Sequence, residues 1–144
     1  MKVAVTAVGG GIGQSIIKAL SGTGYEAIGI DPKSNAAGLY MANKGYIGKN
    51  VDDAGYLDSL LNICKKEKCD FLFPGFDAEL DTLSRNIERF LDVGTRVIVS
   101  DLDVIDISDN KWMLDKFLMK EGLPHIKTAR TISEARVMGI PTPW

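Results

Sequence analysis

A chain of 144 residues is long enough for one domain with a sizeable core and too short for two full ones. Its 45% hydrophobic and 25% charged content is ordinary for a soluble globular protein, and a net charge of −2 gives no field that would draw it to nucleic acid or to an anionic membrane. The longest apolar runs are strand-length, which excludes a membrane span, and Met1-Lys2 leads straight into an apolar strand without a signal-peptide pattern, so the expected compartment is the cytoplasm.

The first stretch, Val3-Ala4-Val5-Thr6-Ala7-Val8, reads as a β-strand and runs into Gly9-Gly10-Gly11-Ile12-Gly13-Gln14. Ile12, Ile16, Ile17 and Leu20 then recur at helical spacing, up to a stop at Ser21-Gly22-Thr23-Gly24. Strand, glycine turn and helix open a doubly wound α/β domain. A second strand, Glu26 to Asp31, ends on an acid before Pro32. Residues 36–42 suit a short helix, and Lys44 to Gly48 a short third strand near an edge.

Asp52 or Asp53 can cap the next helix, marked by Tyr56, Leu57, Leu60, Leu61 and Cys64. Its tail, Lys65-Lys66-Glu67-Lys68, suits a helix C-terminus. Cys64 and Cys69 are expected as reduced thiols at a helix end and a strand start, since their spacing and a single histidine offer no metal-ligand set. Asp70-Phe71-Leu72-Phe73 has the continuous apolar character of a central parallel strand. An amphipathic helix follows from Glu79 through Leu80, Leu83, Ile87, Phe90 and Leu91, then a fifth strand from Thr95 to Ser100. Asp101 to Ile107 is a connection or short helix. Ser108-Asp109-Asn110 offers a cap for the helix carrying Trp112, Leu114, Phe117 and Leu118, which stops at Glu121-Gly122 before Pro124. Beyond it lie an extended segment around Lys127 to Thr131, a short helix over 133–138, and a turn leading to a new strand at Ile140-Pro141-Thr142-Pro143-Trp144.

Five strands alternating with helices predict an α/β fold: a doubly wound, mostly parallel five-stranded sheet with helices on both faces, Rossmann-like, in the order 3-2-1-4-5. The glycine turn supports two ligand readings beside that of a tight turn without a ligand. A small carboxylate or phosphate could sit on the N–H groups of Gly11, Ile12 and Gly13 at the positive end of the helix. A dinucleotide such as NAD(P) would use Gly9 and Gly11, with Asp31 on a ribose, although Gln14 replaces the third glycine of that pattern.

Asp77 and Glu79 follow the central strand at its C-terminal end, where open α/β sheets bind ligands. A carboxylate there can hold a substrate amine or hydroxyl, or it can cap the following helix. Lys111, in a first helical turn, opposes the helix dipole, for which a phosphate ligand is one reason and solvent exposure another. His125 reads as a loop or core histidine. No nucleophile–base pair, Walker-type loop or metal ligand set stands out, so the residues favour a binding domain over a complete catalytic machine.

The order of these motifs resembles the N-terminal half of ATP-grasp enzymes, particularly carbamoyl-phosphate-synthase-like members. The pieces are Val8-Gly9-Gly10-Gly11-Ile12-Gly13-Gln14, Ile30-Asp31-Pro32, Asp70 to Gly75 with Asp77 and Glu79, Asp109-Asn110-Lys111, Glu121-Gly122-Leu123-Pro124, and Ile140 to Pro143. The resemblance implies a pre-ATP-grasp domain over 1–124 and the start of an ATP-grasp domain over 125–144. It implies a small carboxylate- or phosphate-bearing substrate lined by Gly11, Ile12 and Gly13 and contacted by Glu79, with Asp31 at the rim and Lys111 near nucleotide phosphates. ATP and Mg would be held mainly by later domains, where a carboxylate is activated as an acyl phosphate and attacked by an amine or ammonia. A homodimer is compatible with it. The chain alone is expected to bind neither nucleotide nor metal tightly and not to turn over ATP. A non-catalytic regulatory domain is the remaining alternative.

Overall fold

The structure, a computed structural model, describes residues 1–141. The strand expected to begin near Ile140 falls mostly on residues 142–144, outside the described residues. The chain divides into two compact units, Met1–Ser100 and a second from Asp101 onward. The expected boundary after Pro124 lies inside the second unit.

The first unit holds five parallel strands: β1 (Lys2–Val5), β2 (Glu26–Asp31), β3 (Lys44–Ile47), β4 (Phe71–Phe73) and β5 (Arg96–Val97). Their order is β3-β2-β1-β4-β5, as the alternation of elements predicts. β1 is central, with Val3 paired to Ala27 on one side and to Phe71 on the other. Buried on both faces, it reads as continuous Val-Ala-Val rather than as an alternating strand.

The pleat divides the core in two. Val3, Val5, Val8 and Ala27 pack with Ile17 of α1 (Gly11–Leu20) on one face. Ala4, Ile28, Ile30, Leu72 and Val97 pack on the other, against Tyr56, Leu60, Ile63 and Cys64 of α3 (Tyr56–Glu67). Leu83 of α4 (Leu80–Ser84) and Phe90 of α5 (Ile87–Leu91) complete that layer. Each large, fully buried apolar side chain here contributes about 1.5–3 kcal/mol of transfer free energy. The short α2 (Ala37–Met41) lies close over β2, because a Cβ on Gly29 would stand 3.2 Å from the Gly38 carbonyl oxygen. Both cysteines are free and buried, at the end of α3 and just before β4.

Three boundaries differ from the sequence expectation. β1 stops at Val5 rather than Val8, because Ala7 adopts φ 48, in the left-handed region, and turns the chain out of the sheet. The helix expected over 79–91 is broken: Asp77–Glu79 is a single 3-10 turn, and α4 and α5 are separated at Arg85-Asn86. There the Asn86 side chain donates to the Thr82 carbonyl at 2.8 Å, the local side-chain-to-backbone bond that interrupts helices. β5 is only Arg96–Val97, while Thr95 before it is buried with its hydroxyl donating to the Cys69 carbonyl at 2.8 Å.

The second unit is helical among the described residues: α6 (Leu102–Asp109), α7 (Lys111–Lys120) and α8 (Ile132–Val137). Within the expected Ser-Asp-Asn cap it is Asn110 that caps α7, accepting from the amides of Trp112 and Met113. Thr131 caps α8 through the Glu134 amide. Residues 127–131 form no strand.

Candidate functional site

A cavity of about 590 Å³ opens in the first unit at the C-terminal ends of β1, β2 and β4. Open α/β sheets take their ligands in this crevice, where strand order reverses. Its glycine-turn wall is Ala7, Gly9 and Gly10, and its opposite wall is Gly75, Phe76 and Glu79. Asp31 and Tyr56 line it between them, and Lys33, Asn35, Lys49 and Asn50 supply exposed polar groups.

Asp31 builds the glycine-turn wall. Its Oδ2 accepts the Gly9 amide at 2.8 Å and its Oδ1 accepts the Lys33 amide at 2.9 Å. The carboxylate thus braces the two loops that follow β1 and β2. A Cβ on Gly9 would sit 3.0 Å from that carboxylate and 3.1 Å from the Ala36 Cβ, a tight fit that glycine avoids. The Gly10 amide closes onto the Ala7 carbonyl at 2.9 Å.

The next three amides, those of Gly11, Ile12 and Gly13, find no hydrogen-bond partner among the described residues. They do not line the cavity. Gly11 and Ile12 face outward, and Gly13 is buried against β1's exit, where a Cβ would come within 2.5 Å of the Ala7 carbonyl oxygen. Gly13 is therefore required by helix–strand packing.

On the opposite wall Glu79 is only 4% exposed, although its side chain is an acid. Its Oε2 accepts a hydrogen bond from the Thr6 hydroxyl, and that hydroxyl accepts the Gly75 amide at 3.1 Å. Burial raises the Glu79 carboxyl above the ordinary carboxylate range, with the Thr6 hydroxyl opposing the rise and Asp31 adding to it. The Tyr56 hydroxyl is buried beside Glu79 yet has no partner in hydrogen-bond geometry. Burial, then the neighbouring carboxylate, pushes that phenol well above its usual range. A buried hydroxyl without a partner costs free energy, and a ligand group could satisfy it.

Of the residues singled out from the sequence, Gly9, Asp31 and Glu79 line this cavity. Asp77 is exposed at the start of its 3-10 turn and does not line it. Lys111 belongs to the second unit, where its Nζ donates to the Ser108 carbonyl at 3.3 Å. It borders a separate hollow of about 510 Å³ formed with Leu114, Leu118, Pro124, His125 and Ile126. His125 pairs there with buried Asp115 at 2.6 Å. Thr6 and Tyr56 escaped sequence reading, the first as part of an apolar strand and the second as a core position of α3. The one available signal was a polar atom in each of two otherwise apolar patterns.

Residues 5–98 match the family described as PylC-like, N-terminal domain. The chain belongs to that family. No curated protein sequence matches it. Solved structures share its fold. N5-carboxyaminoimidazole ribonucleotide synthetase from Thermotoga maritima superposes with a TM-score of 0.66 at 17% identity, covering 97% of this chain and 37% of that one. The biotin carboxylase domain of a single-chain bacterial carboxylase gives 0.65 at 19% identity, covering 96% of this chain and 34% of that one. Glycinamide-RNase-transformylase T from Mycobacterium tuberculosis gives 0.62 at 17% identity, over 86% and 36%. The chain spans about a third of the length of these structures. The family match, residues 5–98, falls within the first unit. No helix among the described residues is long and apolar enough to cross a membrane.

Proposed function

We propose that this chain is the substrate-binding N-terminal portion of an ATP-dependent, cytoplasmic carboxylate–amine ligase. The observation that carries the reading is Glu79: a buried carboxyl, fixed by Thr6, beside an unpartnered Tyr56 hydroxyl in the crevice facing the glycine turn. Burying a carboxyl and a phenol without a paired cation is costly, and such costs concentrate where a ligand will meet them.

The charge pattern suggests the ligand's orientation. Asp31 and Glu79 make the inner wall acidic and suit an amine, while Lys33 and Lys49 on the exposed side suit a carboxylate or phosphate. Lys49 is shared with Asp53 at 3.3 Å. The substrate so described carries an amine at one end and an acid group at the other.

ATP with Mg, which the ATP-grasp resemblance assigns to the parent protein, supplies activation of a carboxylate there. No group of three potential metal ligands clusters among the described residues. Lys111 stands beside apolar side chains, and one lysine does not make a nucleotide site. This chain's share of the work is to bind and orient the substrate.

A thermal-shift series on the 144-residue chain with glycine, ethylamine, acetate, inorganic phosphate, MgATP and NADH tests this, since a ligand selective for the folded state raises its melting temperature. Glycine or ethylamine is expected to raise it in the wild type and not in Glu79→Gln. A response to MgATP or NADH alone contradicts the reading.

A further inference from the structure

We infer that Thr6 is a positioning residue: its hydroxyl pins one oxygen of Glu79, so that the other is the oxygen offered to ligand beside Tyr56. The inference rests on the substrate-site reading above, and it concerns a residue that does not itself line the cavity.

A threonine hydroxyl has one proton and two lone pairs. The Gly75 amide can only donate, and it occupies one lone pair at 3.1 Å. The hydroxyl is hydrogen-bonded to Glu79 Oε2, and it is the donor whenever the carboxyl is ionised, since a carboxylate can only accept. No hydrogen bond from the chain reaches Oε1 in the described structure, and the unpartnered Tyr56 hydroxyl lies beside this carboxyl. A ligand that donates to the ionised carboxylate therefore donates to Oε1, the oxygen that Thr6 leaves free.

The pin is rigid on both sides. Thr6 is β-branched and almost fully buried, and its amide is tied to the Phe73 carbonyl at 3.1 Å, so its side chain has little rotameric freedom. Gly75 is held equally closely, because a Cβ there would fall 2.2 Å from the Thr6 carbonyl oxygen. An apolar residue at position 6 would fill the same space and leave both the Gly75 amide and Oε2 without a partner.

The test is a carbon-13 NMR titration of the Glu79 carboxyl in the full chain, for wild type, Thr6→Val and Thr6→Ser. Loss of a hydrogen bond to the ionised carboxylate is expected to move the Glu79 midpoint upward in Thr6→Val by about one pH unit or more, with Thr6→Ser restoring the wild-type midpoint. A purely structural threonine would change the melting temperature and leave the midpoint where it was, which would overturn the proposal. If Thr6→Val does not fold, the wild type decides: the Thr6 hydroxyl proton is expected as a protected resonance close to the Gly75 amide proton, and a freely exchanging one overturns the proposal. Neither readout requires a ligand. The expected midpoint shift with no glycine or ethylamine binding would sink the substrate reading and leave the positioning intact.

Discussion

Thr6 and Glu79 are 73 residues apart in the sequence and joined side chain to side chain. The bond exists because β1 and β4 are neighbours in the sheet, with Val5 opposite Phe73. Each strand's exit then delivers one partner, the hydroxyl directly after β1 and the carboxyl from the 3-10 turn after β4. The sheet order thereby sets Thr6 behind Glu79, which lines the cavity wall.

Replacing Glu79 with glutamine is expected to stabilise the fold at neutral pH. The folded-state carboxyl titrates above its unfolded value, chiefly through burial, so the protonated form is favoured in the fold and stability falls as pH rises through the folded midpoint. A side-chain amide, which does not ionise, is free of that loss. Urea unfolding should show Glu79→Gln gaining on the order of 1 kcal/mol near pH 8 and converging with wild type near pH 3.

Glu67 has the opposite sign. Hydrogen bonds from Lys44 and then Tyr46, with Lys2 nearby, hold its carboxyl down from the ordinary 4.5 to about 2. A depressed carboxylate contributes stability that is fully present above its unfolded value and is lost as pH falls toward the folded one, so the window lies between about pH 4.5 and about 2. Lys44→Met should move the acid-unfolding midpoint, followed by circular dichroism, to higher pH. The lysines are 34% and 49% exposed, so 1 M salt is expected to shrink the difference.

Gly13 and Gly11 separate packing from openness. An added Cβ at Gly13 meets backbone atoms, at 2.5 Å from the Ala7 oxygen and 2.7 Å from the Val8 Cα, whereas at Gly11 it meets nothing within 4 Å. Gly13→Ala should cost about 1–3 kcal/mol or more in urea unfolding. Gly11→Ala, on the open first turn of α1, should be neutral or stabilising by about 0.4–1 kcal/mol.

Asp31→Ala is expected to destabilise the chain without any ligand present. It leaves the Gly9 and Lys33 amides without their acceptor, and each such part-buried hydrogen bond is worth about 0.5–1.5 kcal/mol. Thermal melts that show no loss of stability would mean the carboxylate does not brace the turn.

The doubly wound sheet was legible because glycines and prolines punctuate its elements and because right-handed crossovers leave few orders for five strands. Glu79 was legible as an acid just past a central strand. Thr6 and Tyr56 were not, since their roles arise only when β1, β4 and α3 meet. Nor does the sequence show Ala7 in a left-handed conformation or Asn86 turning its amide back on the helix, because both are local choices made by the surrounding packing. The amides of Gly11, Ile12 and Gly13 followed from the glycine pattern. Their position outside the cavity follows from how tightly α1 sits on the exit of β1.

The most direct measurement is nitrogen-15 chemical-shift mapping of the full chain titrated with glycine at millimolar concentrations. The crevice account predicts that the moving amides cluster at Gly9, Gly10, Gly75 and Phe76, on both walls beside Glu79, and that Glu79→Gln abolishes the movement. No movement at those amides, or movement confined to residues beyond Ser100, would contradict it.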